Sequence, residues 1–201
     1  MEKAEKPKKQ HILENAAVLF RDKGYSATSM RDLARSVGLQ ASSLYNHIES
    51  KEKLLQEICL ANALKFLSMM EKVEAMDIPV AEKVEQLLRL HIRTAIQDVT
   101  SVTSFNDEWR HLGEPYLSDF KEMRRDYEQR FIHILRQGIE AGEIRAQEPQ
   151  IVLYTLFSSL RWLYDWFQPG KRLSATDVEE EILNLLFYGL RCSSELDSEN
   201  V

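Results

Sequence analysis

Residues 24 to 54, GYSATSMRDLARSVGLQASSLYNHIESKEKL, hold two short amphipathic stretches parted by a glycine-containing turn, the arrangement of a helix-turn-helix reader of DNA. Thr28 or Ser29 can cap the first helix, and Asp32 stands where the acid of a capping box follows Ser29. Met30, Leu33, Ala34 and Val37 then share a face. Gly38 is the residue best able to take the positive φ that ends such a helix, and Leu39 restarts the apolar pattern ahead of Leu44 and Ile48.

The same segment resembles the DNA-binding region of the tetracycline-repressor (TetR) family. The elements that carry the resemblance are Gly24-Tyr25, Thr28-Ser29, Leu33-Ala34, Gly38-Leu39, Leu44-Tyr45-Asn46-His47 and Lys51-Glu52-Lys53-Leu54. Ile48 stands where the family usually has Phe and keeps an apolar side chain there. Gln40, Ala41, Ser42 and Ser43 replace the commoner run containing Lys or Arg, which implies a base preference of the chain's own. The likeness is specific over roughly the first 55 residues and weaker beyond them.

Charge is distributed unevenly. The 201 residues carry a net −6, yet residues 1–53 sum to +3 and the remainder to −9, as suits a protein that presents one end to phosphate. Lys3, Lys6, Lys8 and Lys9 form either a solvated tail or an arm on the DNA backbone. Cys59 and Cys192 are far apart and lack a CxxC partner, so neither a zinc ribbon nor a disulfide framework is supported and a reducing compartment is expected. With no apolar run long enough to span a bilayer, the expected location is the cytoplasm, without a membrane partner.

Seven glycines and five prolines are few, and helical periodicity runs along the whole chain. The expected fold is all-α with about nine helices. A three-helix head with the helix-turn-helix occupies residues 1–53, and a helical ligand-binding and dimerisation domain occupies 54–201. A first helix spans about 8–23, and Ser50 caps a long helix reaching about 75. Val84 to Ile96 define the next, 105–112 a short one, and about 115–141 a long one closed by Gly142. Pro149 opens a helix expected to continue to about 167, and Ser174 or Thr176 starts the last.

In a helix-turn-helix the start of the second helix enters the major groove, so Gln40, Ala41, Ser42 and Ser43 are the candidates for base edges. Thr28, Ser29, Tyr45, His47 and Lys51 are candidates for phosphate, with packing as the alternative for Tyr45 and His47. Aromatics gather after residue 100. Those at helical spacing are ordinarily core, and a pocket needs polar groups among them. His91, Phe105, Trp109, Arg110, Arg124, Tyr127, Phe131, Tyr154 and Trp162 are the candidate effector residues. His91 is more often a hydrogen-bonded core histidine, and Arg124 needs either a carboxylate partner or an anionic ligand. Glu108 and His111, at i and i+3, lack the second such pair that a di-iron bundle uses, so no metal and no cofactor is expected. No assembled catalytic group or phosphate loop is present, which argues against an enzyme.

Ser158, Arg161, Ile182, Leu185, Leu186 and Gly189 are the candidate dimer face, and Arg161 can pair with Asp165 at i, i+4. Such stripes can also be internal core. The TetR resemblance implies a homodimer on a palindromic double-stranded DNA operator, acting as a repressor released by a small hydrophobic effector. A diffuse likeness in Glu108 to Leu112, Met123 to Glu128, Gly138 to Gly142 and Trp166 to Gly170 points to members that respond to acyl-CoA thioesters. A lipophilic drug-like effector is the competing regulator reading. A helical binding or scaffold protein without operator recognition is the reading from another class.

Overall fold

The structure, a computed structural model, describes residues 5–97, 108–167, 170 and 172–188. Among these residues there are nine α-helices and one 3-10 turn, with no strand. They are α1 (Glu5–Lys23), α2 (Met30–Ser36), α3 (Ala41–Tyr45), α4 (Lys51–Glu74), α5 (Val80–Gln97), the 3-10 turn Glu108–His111, α6 (Tyr116–Glu140), α7 (Pro149–Ser159), α8 (Leu163–Trp166) and α9 (Ala175–Tyr188). The all-α expectation holds, and the count matches with different members. Of the short helix expected over 105–112, the described part is the 3-10 turn.

The single helix expected from Pro149 to about 167 is broken between α7 and α8. Ser158 and Ser159 donate their hydroxyls to the carbonyls of Thr155 (3.1 Å) and Leu156 (2.7 Å). The amides of Leu160, Arg161 and Leu163 then bond three residues back, tightening the backbone out of the α form.

The chain packs as two compact units. The first comprises Met1–Leu67 with Gln97–Arg125, and the second Ser68–Ile96 with Asp126–Val201. Long helices α4 and α6 each contribute residues to both. The first unit's core joins Ile12, Ala16 and Phe20 of α1, Leu33 of α2, Leu44 of α3 and Leu54, Leu55 and Ile58 of α4 to Leu112 and Phe120 from much later in the chain. In the second unit, Leu87, Leu88 and Ile92 of α5 are buried, as are Phe131 and Leu135 of α6 and Leu153 of α7.

Polar groups fix the helix ends and registers. Ser29 caps α2 with the complete box to Asp32, whose carboxyl is held below its usual range first by the Ser29 hydroxyl and then by the Ser29 amide. Ser50 accepts from Lys53 N–H at the start of α4, and Ser174 with Asp177 repeats the box ahead of α9. In the second unit, Arg89 of α5 pairs with Glu85 (3.0 Å), Glu179 (2.8 Å) and Glu180 (2.6 Å), while Arg93 reaches Glu179 at 2.7 Å. Burial alone pushes the Glu179 carboxyl up, but the two guanidiniums outweigh it and hold the group ionised. This network ties α5 to α9. Arg130 of α6 makes a two-point pair with Glu74 at the end of α4, and Lys83 donates to the Glu74 carbonyl at 2.9 Å.

Gly38 sits at φ +68 with open space where a Cβ would lie, so its requirement is conformational rather than steric. Gly38→Ala is therefore expected to lower the stability of the first unit by about 1–2 kcal/mol, measured as a reduced urea midpoint at unchanged m-value. An unchanged midpoint would show that the turn tolerates another backbone geometry.

Candidate nucleic-acid interface and effector site

A helix as short as α3 exists because its neighbours hold it. Leu44 and Ile48 are buried in the first unit's core, and the amides of Asn46 and His47 bond three residues back, ending the α form sooner than the apolar pattern suggests. What remains outside is the surface expected to meet bases. Gln40 and Ser42 are exposed, Ala41 and Ser43 are half-buried, and Tyr45 is 54 % exposed. His47 is half-buried and Ser29 is exposed at the α2 cap.

Two of the phosphate candidates are built into the fold. Thr28 is 2 % exposed, and its hydroxyl donates to the carbonyls of Gly24 (2.9 Å) and Leu19 (3.3 Å), so that side chain locks the α1–α2 corner. Lys51 donates to the carbonyls of Tyr25 (2.7 Å) and Thr28 (2.8 Å), with its ammonium 4.2 Å from the Tyr25 ring centroid. An ammonium carries three donors, so this staple leaves the charge and one N–H beyond those two bonds. Lys9 lies within α1 and pairs with Glu57 of α4 at 2.9 Å, so it is not part of a free tail.

The effector candidates divide between the two units. Trp109, Arg110 and Arg124 belong to the first. There Trp109 stacks on Phe120 at 5.7 Å, and the guanidiniums of Arg110 and Arg124 lie 5.5 and 5.7 Å from its ring. Both arginines are exposed, so the desolvation argument applied to Arg124 does not arise. The Trp109 indole N–H is buried without a hydrogen-bond partner among the described residues. Phe105 lies outside the described residues.

In the second unit His91, Tyr127 and Phe131 come together. His91 Nε2 and Tyr127 Oη share a hydrogen bond of 2.8 Å, and Phe157 completes the cluster 4.6 Å from the His91 ring and 5.7 Å from Phe131. Phe157 was readable only as one of many aromatics, because its place opposite His91 depends on how α7 packs against α5. Burial pushes the His91 imidazole down to about 3 and the Tyr127 phenol up, so both are neutral at physiological pH. A neutral hydrogen-bonding pair between aromatic walls suits an uncharged polar group rather than an anion. Tyr154 and Trp162 stand apart from this cluster, each 46 % exposed, with the Tyr154 hydroxyl 3.4 Å from Glu128 and Trp162 edge-on to Trp166.

On the candidate dimer face, Ser158 and Arg161 are exposed, Leu185 is 78 % exposed and Leu186 half-buried. Ile182, at 9 %, is buried with Val178 in the unit's own core. The Asp165 side chain and Gly189 lie outside what the structure describes. Among the described residues no helix is long and apolar enough to cross a membrane, and no group of three or more His, Cys, Asp or Glu side chains could hold a metal.

His91 makes acid stability testable. The unfolded imidazole takes up its proton near 6.5 and the folded one only near 3, so between those values the unfolded state binds the extra proton. Stability is therefore full above pH 6.5 and falls with acidification by about 1.4 kcal/mol per pH unit from this group. His91→Gln should flatten that limb in urea titrations at pH 7 and 5. An identical acid slope in the variant would show that His91 is not the group responsible.

The comparisons with known proteins cover both units. Residues 12–58 match the profile "Bacterial regulatory proteins, tetR family", and residues 77–190 match "Tetracyclin repressor-like, C-terminal domain". The HTH-type transcriptional repressor KstR2 of Mycolicibacterium smegmatis is 28 % identical over 187 residues, 91 % of this chain and 90 % of that protein. The structure of the ketosteroid transcriptional regulator KstR2 of Mycobacterium tuberculosis superposes with a TM-score of 0.84 at 24 % identity, covering 92 % and 95 % of the two chains, a likeness of fold. AibR, solved in complex with isovaleryl coenzyme A and operator DNA, superposes with a TM-score of 0.75 at 25 % identity over 89 % of this chain and 97 % of its own. With profiles matching the reading head and more than half of the chain beyond it, this protein belongs to the TetR family of transcription regulators.

Proposed function

We propose that this protein is a cytoplasmic, homodimeric transcriptional repressor that leaves a palindromic operator when an acyl-CoA binds its second unit. The observation that carries the reading is the two-sidedness of α3: Leu44 is fully buried while Gln40, Ser42 and Tyr45 face out from a head of net positive charge. Gln40 can pair with adenine through N6 and N7, the serine hydroxyls donate or accept, and Ala41 meets a thymine methyl. Ser29, Tyr45 and His47 take phosphates, while Thr28 and Lys51 hold the corner that presents them. The activity is binding without turnover.

The acyl-CoA class is supported by AibR, whose structure was solved with isovaleryl coenzyme A and operator DNA together. The second unit offers the neutral His91–Tyr127 pair for a carbonyl oxygen and the rings of Phe131 and Phe157 for an acyl chain. Dimerisation is supported by exposed apolar side chains of the second unit, Ile151 of α7 at 66 % and Leu185 of α9. A two-fold dimer then matches a two-fold operator. For the effector to release DNA it must bind one arrangement of the heads better than the other.

Selection from random palindromes followed by fluorescence anisotropy tests the reading. One palindrome should be enriched, with affinity falling steeply as salt rises, and an acyl-CoA should weaken binding by at least about fivefold. Gln40→Ala should lose about 1–3 kcal/mol of discrimination at a single base pair while leaving the salt slope unchanged. Salt-insensitive binding without a preferred palindrome would instead support the scaffold alternative. Leu185→Glu is expected to convert a dimer to monomer in native mass spectrometry, and a dimer that survives it would move the interface elsewhere.

A further inference from the structure

We infer that the turn Glu108–His111 is a latch on the α1–α2 corner of the reading head, with Glu108 as a positioning residue for operator binding, and that the effector acts by opening it. The second half of this inference rests on the effector reading above, and the first half does not.

The corner is the stretch from Gly24 to Ser29, between the end of α1 and the cap of α2. Tyr25 is its hub. Its ring meets Phe20 edge-on at 5.2 Å, and the Lys51 ammonium of α4 lies over the ring while bonding the carbonyls of Tyr25 and Thr28. The third hold comes from 83 residues away in sequence: the Tyr25 amide donates to Glu108 Oε2 at 3.2 Å. His111 stacks on the same hub, its ring 5.1 Å from that of Tyr25 and inclined by 21°, with Nε2 3.7 Å from the Glu108 carboxylate.

Glu108 therefore spends its charge on one backbone N–H and one neighbouring imidazole, in a position where its side chain is only 16 % exposed. Its neighbours keep the turn in place, since Leu112 is buried in the head's own core and Trp109 packs against it. The corner fixes where α2 begins, and α2 is packed directly against α3. A shift of Tyr25 thus moves the surface that carries Gln40 and Ser42. In chain order the latch follows α5, which carries His91, with only residues 98–107 intervening. Among the described residues, Glu108 is the carboxylate that holds the Tyr25 amide.

A latch with this role predicts reciprocal effects. Glu108→Ala should weaken operator affinity about tenfold, the loss of one hydrogen bond to a charged acceptor. It should also tighten acyl-CoA binding to the DNA-free protein and bring the ratio of operator affinities with and without acyl-CoA toward one. Glu108→Gln keeps an acceptor oxygen and should restore most of the operator affinity, which a simple gain of positive charge cannot explain. Hydrogen exchange of the intact wild-type dimer gives a readout independent of variant folding: the Tyr25 amide should be protected alone and exchange faster with acyl-CoA bound. Wild-type operator affinity and an unaltered acyl-CoA ratio in Glu108→Ala would overturn the latch, as would a Tyr25 amide that exchanges freely in the absence of ligand. A wild-type protein indifferent to acyl-CoA would remove the effector reading, and the operator affinity of Glu108→Ala would then decide the latch alone.

Discussion

A helix as short as α3 has almost no stability of its own, because fixing its first turn costs more conformational freedom than its few hydrogen bonds return. Its existence depends on burying Leu44 and Ile48 against Phe20, Leu33 and Leu54, and everything the reading head can do follows from that burial. The core decides which residues of α3 are inside, and by exclusion which ones are left on the surface. Thr28 and Lys51 extend the same logic to the polar groups. Each donates to main-chain carbonyls of the corner between α1 and α2, so residues that look like phosphate ligands also serve as the corner's internal frame.

The second unit relies on a different balance. His91 and Tyr127 place two polar groups in an aromatic environment and remain neutral there, each meeting part of the other's hydrogen-bonding requirement. Glu179 is nearly as buried but stays charged, because two guanidiniums converge on it from α5. One face of α5 thus reaches the aromatic cluster and another grips α9, the helix whose Leu185 faces outward. Whatever rearranges the cluster acts on a helix that is already tied to that surface.

Much of the fold was legible in local pattern. The capping box at Ser29, the cap at Ser50, Pro149 in a first turn and the apolar stripes of α4, α5 and α6 are properties of short windows, and the structure has them. The break after Ser159 was not legible. Serine side chains can either continue a helix or divert its carbonyl bonds, and the choice depends on the packing around Leu160 and Leu163. Likewise Ile182 and Leu185 read as one stripe, although only Ile182 turns inward.

Sequence alone determined that this chain is helical, that residues 24–54 form a helix-turn-helix with an exposed polar start to its second helix, and that the chain resembles TetR regulators. These are consequences of periodicity, capping chemistry and residue type, all of which act over a few residues. Tertiary structure decided that Trp109, Leu112 and Phe120 pack with the head, that Phe157 rather than Tyr154 or Trp162 joins His91, and that the Tyr25 amide is held by Glu108. Each of these joins residues far apart in the chain, 83 positions for Tyr25 and Glu108. The free energy of such contacts comes from the burial available once separate helices meet, which no local window of sequence contains.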